Sequence, residues 1–251
     1  MLSLRRAIRI AIAFALPMAL AACGSDAKKD GETPKGEPIA RIAPPVGQDW
    51  AEVVKVTDLD GYQMGNPEAP IKLIEYASLT CPHCADFSKE GSAALRDKYV
   101  ASGVVSYELR NQIRDGFDLT MAMLVRCGAP ESFHGLSEQV WANLPALVAA
   151  IDANKAGIEM AMKETDQGKR YAAIANAAGL TEFFASRGIS KDQAAVCLAK
   201  PGLAEKIAKQ SEDQSTALKI EGTPTFFVNG TMVDAKSWPQ LEPILQTAGA
   251  R

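Results

Sequence analysis

Cys81-Pro82-His83-Cys84 places two thiols three positions apart. On a helix that spacing puts both sulfurs on one face, one turn apart, close enough to bridge and reopen. A thiol becomes a nucleophile by losing its proton, and the free N–H groups and dipole of a helix N-terminus favour the resulting charge. Cys81 at a helix start is therefore the expected attacking thiolate, with Cys84 its partner. Pro82 suits the first helical turn. His83 can add positive charge or a hydrogen bond beside the Cys81 sulfur. A structural disulfide or half of a zinc site could share the spacing, but zinc needs two further ligands at finger-like spacing. Only Cys127, Cys197 and His134 remain to supply them, each isolated in the sequence.

The elements that must hold this motif follow from the apolar pattern. Val53 to Thr57 is a short β-branched run expected as an edge strand, and Ile71 to Ala77 reads as a buried strand ending just before the motif. Pro82 to Tyr99 reads as a helix and Val104 to Arg110 as a second strand, which makes a βαβ unit. From Phe117 to about Lys219 apolar residues recur at three- and four-residue spacing, predicting several helices and no strands. Met121, Met123, Met160 and Met162 fall on that spacing and are expected as core filler, and His134 as a surface or packing residue. Thr225 to Val228, the turn signal Asn229-Gly230 and Thr231 to Val233 form a hairpin. Ser237 to Thr247 closes as a helix with Ser237 as its N-cap.

The chain is 251 residues with 47% apolar and 23% charged content, a globular composition. Arg5, Arg6 and Arg9 precede the apolar run Ile10 to Leu20, followed by Leu20-Ala21-Ala22-Cys23. This three-part form is that of a secretory signal over 1–22, and the Leu-Ala-Ala-Cys ending resembles a bacterial lipoprotein signal with Cys23 lipidated. Without those three arginines the formal net charge falls from −3 to −6, which argues against a nucleic-acid binder. Residues 23–49 are rich in Gly, Pro and charge and are expected as a solvated tether. Two histidines in the whole chain exclude a multi-histidine metal site. With Cys23 assigned, four cysteines remain in an exported protein, an even number in an oxidising compartment.

Three separated features carry a family resemblance: the C-P-H-C motif, Glu75 six residues upstream of it, and Gly222-Thr223-Pro224-Thr225-Phe226-Phe227-Val228-Asn229-Gly230. Together with Gly65-Asn66-Pro67-Glu68-Ala69-Pro70 they resemble the DsbA family of periplasmic thiol oxidoreductases, in its lipoprotein-type members. The resemblance implies an α/β thioredoxin-like fold, a central mixed sheet flanked by helices, with an inserted all-helical domain. Its first half would span 50–116, the insert 117–219 and its second half 220–251. It implies that Cys81 forms the mixed disulfide and Cys84 resolves it. Glu75 would be a buried carboxylate that helps move the Cys84 proton. Pro224 would be cis and face the disulfide, with Thr223 presenting backbone groups to a substrate strand. Thr223 stands where some members carry valine and is shared with isomerase and reductase relatives. Cys127 and Cys197 have apolar neighbours and could be buried free thiols, but the export signal and cysteines at comparable places in similar members favour a structural bridge.

The expected function is a dithiol oxidase, lipid-anchored at Cys23 on the periplasmic side of a bacterial cell envelope. It would oxidise exported proteins with free thiols, be reoxidised by a membrane quinone-linked partner, act as a monomer, and need no metal or organic cofactor. The competing readings are a disulfide reductase or isomerase, and a binding module such as a copper(I) metallochaperone using the two thiolates.

Overall fold

A computed structural model describes residues 34–251; the expected signal segment, Cys23 and the start of the tether lie outside them. The strands are β1 (Val54–Val56), β2 (Tyr62–Met64), β3 (Ile71–Ala77), β4 (Val105–Asn111), β5 (Thr225–Val228) and β6 (Thr231–Val233). They form one mixed sheet in the order β1-β2-β4-β3-β5-β6, in which β3 and β4 are parallel and every other neighbouring pair is antiparallel. Helix α1 (Pro82–Ala94) makes the crossover between the parallel pair and runs on as a π-helical turn through Leu95–Val100. The hairpin between β5 and β6 turns on Asn229 (φ 51°) and Gly230 (φ 79°), both left-handed, as a two-residue turn of this twist requires.

Between β4 and β5 the chain forms α2 (Gly116–Leu124), α3 (Ser132–Ala142), α4 (Leu144–Ala153), α5 (Lys155–Met162), α6 (Gln167–Ala177), α7 (Leu180–Ala185), α8 (Lys191–Leu198) and α9 (Leu203–Leu218). The chain ends on α10 (Trp238–Thr247). The thioredoxin-like architecture with an added helical region is thus the observed one. The helices do not enclose a separate core: Phe133, Met121 and Leu124 belong to the same buried cluster as Leu73, Phe87 and Phe226. Among the described residues no helix is long and apolar enough to cross a membrane.

Several expectations need correction. The strand β2 falls between the turn-forming residues Asp60-Gly61 and Gly65-Asn66-Pro67 and is only three residues long, too short for its period to show. The tether does not stay free as far as Asp49. Gly36, Ile39 and Ile42 donate backbone hydrogen bonds to Thr247, Gly249 and Ser102, each at 2.9 Å, so an extended arm lies along the body. Ile39 packs on the core and Trp50 Nε1 donates to the Ile42 carbonyl at 2.9 Å. A few well-placed donors and one isoleucine order a segment whose average composition is that of a linker. Met121 and Met123 are core, but Met160 and Met162 are 74% and 44% exposed, because α5 turns Ile158 and Ala161 inward instead. Ser237 occupies the N-cap of α10 with extended backbone, but its side chain makes no capping bond.

One close approach fixes α1 against α10. Trp238 is buried between Tyr99 (5.7 Å between ring centroids) and Phe87 (6.3 Å). A Cβ at Gly91 would meet its indole ring at 2.7 Å. Gly91→Ala gains roughly 1 kcal/mol of helix propensity, but overpacking a site that cannot move costs about 1–3 kcal/mol. The overpacking term wins, so the denaturation midpoint should fall; an unchanged or raised midpoint would show that the indole can shift.

Candidate active site

The register of the central strands puts the chemistry under the start of α1. On one face of the sheet lie Leu73 and Glu75 of β3, Tyr107 and Leu109 of β4, and Phe226 of β5, with Glu75 directly between Leu109 and Phe226. Phe87 of α1 packs on Phe226 from above, ring centroids 4.7 Å apart. The opposite face carries Tyr76, whose hydroxyl donates to Gln214 Oε1 of α9 at 2.9 Å, and a buried Glu108–Arg110 pair at 2.7 Å. A carboxylate on the apolar face is out of place by the strand's own pattern, and it lies beneath the two cysteines.

Cys81 caps α1 in an extended conformation and Pro82 occupies the first turn. Both cysteines are free thiols and both are buried, whereas Pro82 and His83 are exposed. The turn before the motif is tied down from the helical region. Asp118 of α2 accepts from Leu79 N at 2.9 Å and Arg114 N at 3.0 Å, and Trp141 Nε1 of α3 donates to the Ser78 carbonyl at 3.0 Å. Opposite the motif, the Thr223–Pro224 peptide bond is cis, and the Cys81 thiol donates to the Thr223 carbonyl at 3.3 Å. Lys236 Nζ braces this loop from behind by donating to the Pro224 carbonyl at 2.9 Å. Cys81, Pro82, His83, Arg114 and Thr223 line an open cleft of 470 Å³.

The two sulfurs differ electrostatically. A hydrogen bond from the Cys84 thiol, followed by bonds from Thr223 and the backbone N–H groups of Cys84 and His83, outweighs burial and holds the Cys81 thiol at about 5. His83 therefore acts on the sulfur through its backbone N–H, while its side chain lies exposed on the cleft. Burial, with help from Cys81 and Glu75, pushes the Cys84 thiol well above its ordinary value. Burial also raises Glu75 to about 8, against the hydrogen bond it accepts from the Tyr107 hydroxyl at 2.5 Å. A low-pKa outer thiol, a high-pKa inner thiol and a buried neutral carboxyl are what an asymmetric dithiol exchange needs: the outer sulfur leaves or attacks as thiolate, the inner one retains its proton.

A family model described as thioredoxin matches residues 57–247. The chain belongs to the thioredoxin family. Within it, a protein-disulfide isomerase from Novosphingobium aromaticivorans is 27% identical, with a TM-score of 0.70 over 75% of this chain and 97% of that one. Alpha-DsbA1 from Wolbachia pipientis shares the fold at 24% identity and a TM-score of 0.54, covering 74% of this chain and 81% of that one. A relative from Rickettsia typhi, provisionally named a protein-disulfide oxidoreductase, is 27% identical over 194 residues, 73% of this chain and 61% of that one. The chain thus spans about three fifths of the length of such curated relatives.

In this thioredoxin-family chain the structure brings Cys81, Pro82, His83 and Thr223 to one cleft, buries Pro224 next to Thr223 behind a cis bond, and buries Cys84 and Glu75. Cys127 and Cys197 are elsewhere, joined by a disulfide with their Cα atoms 5.7 Å apart. Among the described residues no three His, Cys, Asp or Glu side chains gather as a metal site. Sequence reasoning passed over Tyr107, Asp118, Trp141 and Lys236. Tyr107 was within reach, since the alternation of residues 104–110 puts it on the inner face beside Glu75. The other three act on backbone atoms far away in sequence, and no local pattern announces them.

Proposed function

We propose that the protein is a DsbA-type thiol:disulfide oxidoreductase working as a dithiol oxidase on exported proteins with free thiols. The observation that carries this reading is the opposed acidity of the two thiols at the start of α1, across from the Thr223–Pro224 loop. In the oxidised enzyme a substrate thiolate attacks Cys81 Sγ, the Cys81–Cys84 bond breaks, and Cys84 takes the electron pair. A second substrate thiolate then attacks the substrate sulfur of the mixed disulfide and displaces Cys81, a good leaving group because its thiolate is stabilised. The enzyme is left with two thiols and the substrate with one disulfide. The backbone of Thr223 is available to align a substrate strand beside Cys81. Reoxidation falls to a membrane quinone-linked partner, and the chain acts as a monomer anchored through Cys23 on the periplasmic face of a bacterial envelope. The Cys23 motif and the export-type leader support that location.

Trapping cells with an alkylating agent tests the direction of the reaction. A Cys81–Cys84 pair found mainly as disulfide, in a protein that oxidatively refolds a reduced substrate, supports the oxidase; a pair found mainly reduced refutes it. The isomerase reading draws support from the name of the Novosphingobium neighbour. It requires that the reduced protein rescue a substrate with scrambled disulfides faster than the oxidised protein oxidises a reduced one.

A further inference from the structure

The Glu75 carboxyl has two different oxygens. Oε2 accepts from the Tyr107 hydroxyl at 2.5 Å; Oε1 is buried with no hydrogen-bond partner. An orphaned carboxyl oxygen in a dry site is costly unless it serves a purpose or carries a proton. The groups around it are few. Cys81 and Cys84 interact with it from the start of α1, Tyr107 from β4, and β5 presents only Phe226. Helix α3 reaches Tyr107 rather than Glu75, with the His134 ring 5.2 Å from the Tyr107 ring and Glu138 facing the phenol while paired to Arg96 at 3.6 Å. His134 is buried and its Nε2 is unpartnered, so burial keeps it neutral above about pH 4 and it places no charge on Tyr107.

We propose that Tyr107 is a positioning residue for proton transfer at Cys84: its hydroxyl fixes one oxygen of the Glu75 carboxyl and leaves the other to exchange a proton with the Cys84 sulfur. The proposal rests on the reading of the protein as a thiol–disulfide exchanger. When substrate thiolate opens the Cys81–Cys84 disulfide, Cys84 leaves with the electron pair and takes the proton from Glu75, which becomes the carboxylate. In the closing direction the ionised Glu75 accepts the Cys84 proton as that sulfur attacks Cys81 Sγ of a mixed disulfide. The Cys81–Cys84 bond forms, and the sulfur that was joined to Cys81 in the mixed disulfide departs as thiolate with the electron pair. The Tyr107 hydrogen bond stabilises the ionised carboxylate, so its loss makes Glu75 a poorer acceptor at neutral pH.

The test is the closing step, with oxidised glutathione as probe. Reduced protein is mixed with oxidised glutathione, the Cys81–glutathione mixed disulfide is quenched in acid, and its closure rate is followed against pH. The wild-type rate should rise with a midpoint near 8, set by Glu75. Tyr107→Phe keeps the ring and should move the midpoint up by about one pH unit, lowering closure at pH 7 by about tenfold, since a hydrogen bond to a charged group is worth at least that much. Site-specific 3-fluorotyrosine at 107, a stronger donor of nearly the same shape, should move it down. Shifts of opposite sign cannot come from packing, and the fluorinated protein decides the matter if the Phe variant folds poorly. In a Glu75→Gln background neither change at 107 should alter the profile. Profiles that coincide with wild type, or shifts that persist in Glu75→Gln, overturn the proposal. A wild-type protein that forms no mixed disulfide at all overturns the oxidoreductase reading instead.

Discussion

Iodoacetamide should alkylate Cys81 of the reduced protein with a midpoint near pH 5, while Cys84 stays unmodified at neutral pH. An ordinary thiol ionises near 8.5, so at pH 6 about 0.3% of it is thiolate against about 90% for one at 5, a ratio of about 300. Nucleophilicity falls with basicity, and over this range the loss is roughly 40-fold. The net rate gain at pH 6 is therefore only about tenfold, which makes the midpoint, not the speed, the decisive measurement. The same shift has a thermodynamic consequence. Cys81 is an acid whose folded value is depressed, so its stabilisation of the reduced fold is complete above the unfolded pKa and is lost as pH falls through about 5. At pH 7 the two-unit gap between 7 and 5 corresponds to about 2–3 kcal/mol, nearer the lower figure because solvent in the cleft screens the sulfur. The disulfide forfeits this term, so the reduced form should be the more stable at pH 7 and the protein correspondingly oxidising. That advantage should shrink steadily as pH falls from about 8.5 and be largely gone by about pH 5. A Cys81 midpoint above about 7 would remove the basis for both claims.

The strand–helix junction that sets this acidity is legible in the sequence because each part of it is local. The buried run Ile71 to Ala77 ends four residues before Cys81, Pro82 marks the first helical turn, and the dithiol spacing is one turn. The hairpin after Pro224 is equally local, since Asn229-Gly230 names its own turn type. What escaped is long-range. Asp118 holds Leu79 from 39 residues away, and the arm around Ile39 pairs with Gly249 at the other end of the chain. Such bonds join single backbone atoms, and neither residue type nor spacing encodes their partner. His83 shows a different gap: its side chain drew notice, whereas its position at the helix start gives its backbone N–H to the sulfur. Glu75 stood out in sequence only beside the other motif residues. In the structure its burial on an apolar face marks it alone.

Replacing both Cys127 and Cys197 with serine should lower stability more than any surface change while leaving dithiol exchange nearly intact. Cys127 lies just after α2 and Cys197 near the end of α8, and the bridge closes a loop with a sequence separation of 70 residues. In the chain-entropy account a loop of that size is worth about 4 kcal/mol, an upper figure from which native strain subtracts. For a chain of this length that corresponds to a fall in Tm of about 10 °C. The bridge is half-buried beside an open hollow where Val196 is 76% exposed, so serine hydroxyls find water and add little desolvation cost. Helix α2 also carries Asp118, the residue that holds the turn before Cys81, and this is a direct route by which the bridge could reach the site. That route is well insulated. Met121, Met123 and Leu124 are fully buried in the shared core and keep α2 seated without the covalent link. Mixed-disulfide formation with oxidised glutathione should therefore stay within about twofold of wild type, a difference of about 0.4 kcal/mol in barrier height. A folded double variant that lost exchange altogether would show that electrons pass between the two cysteine pairs, or that the seating of Asp118 depends on the bridge. Asp118→Asn in the otherwise intact protein separates those outcomes, because it disturbs the turn before Cys81 without touching either cysteine of the bridge.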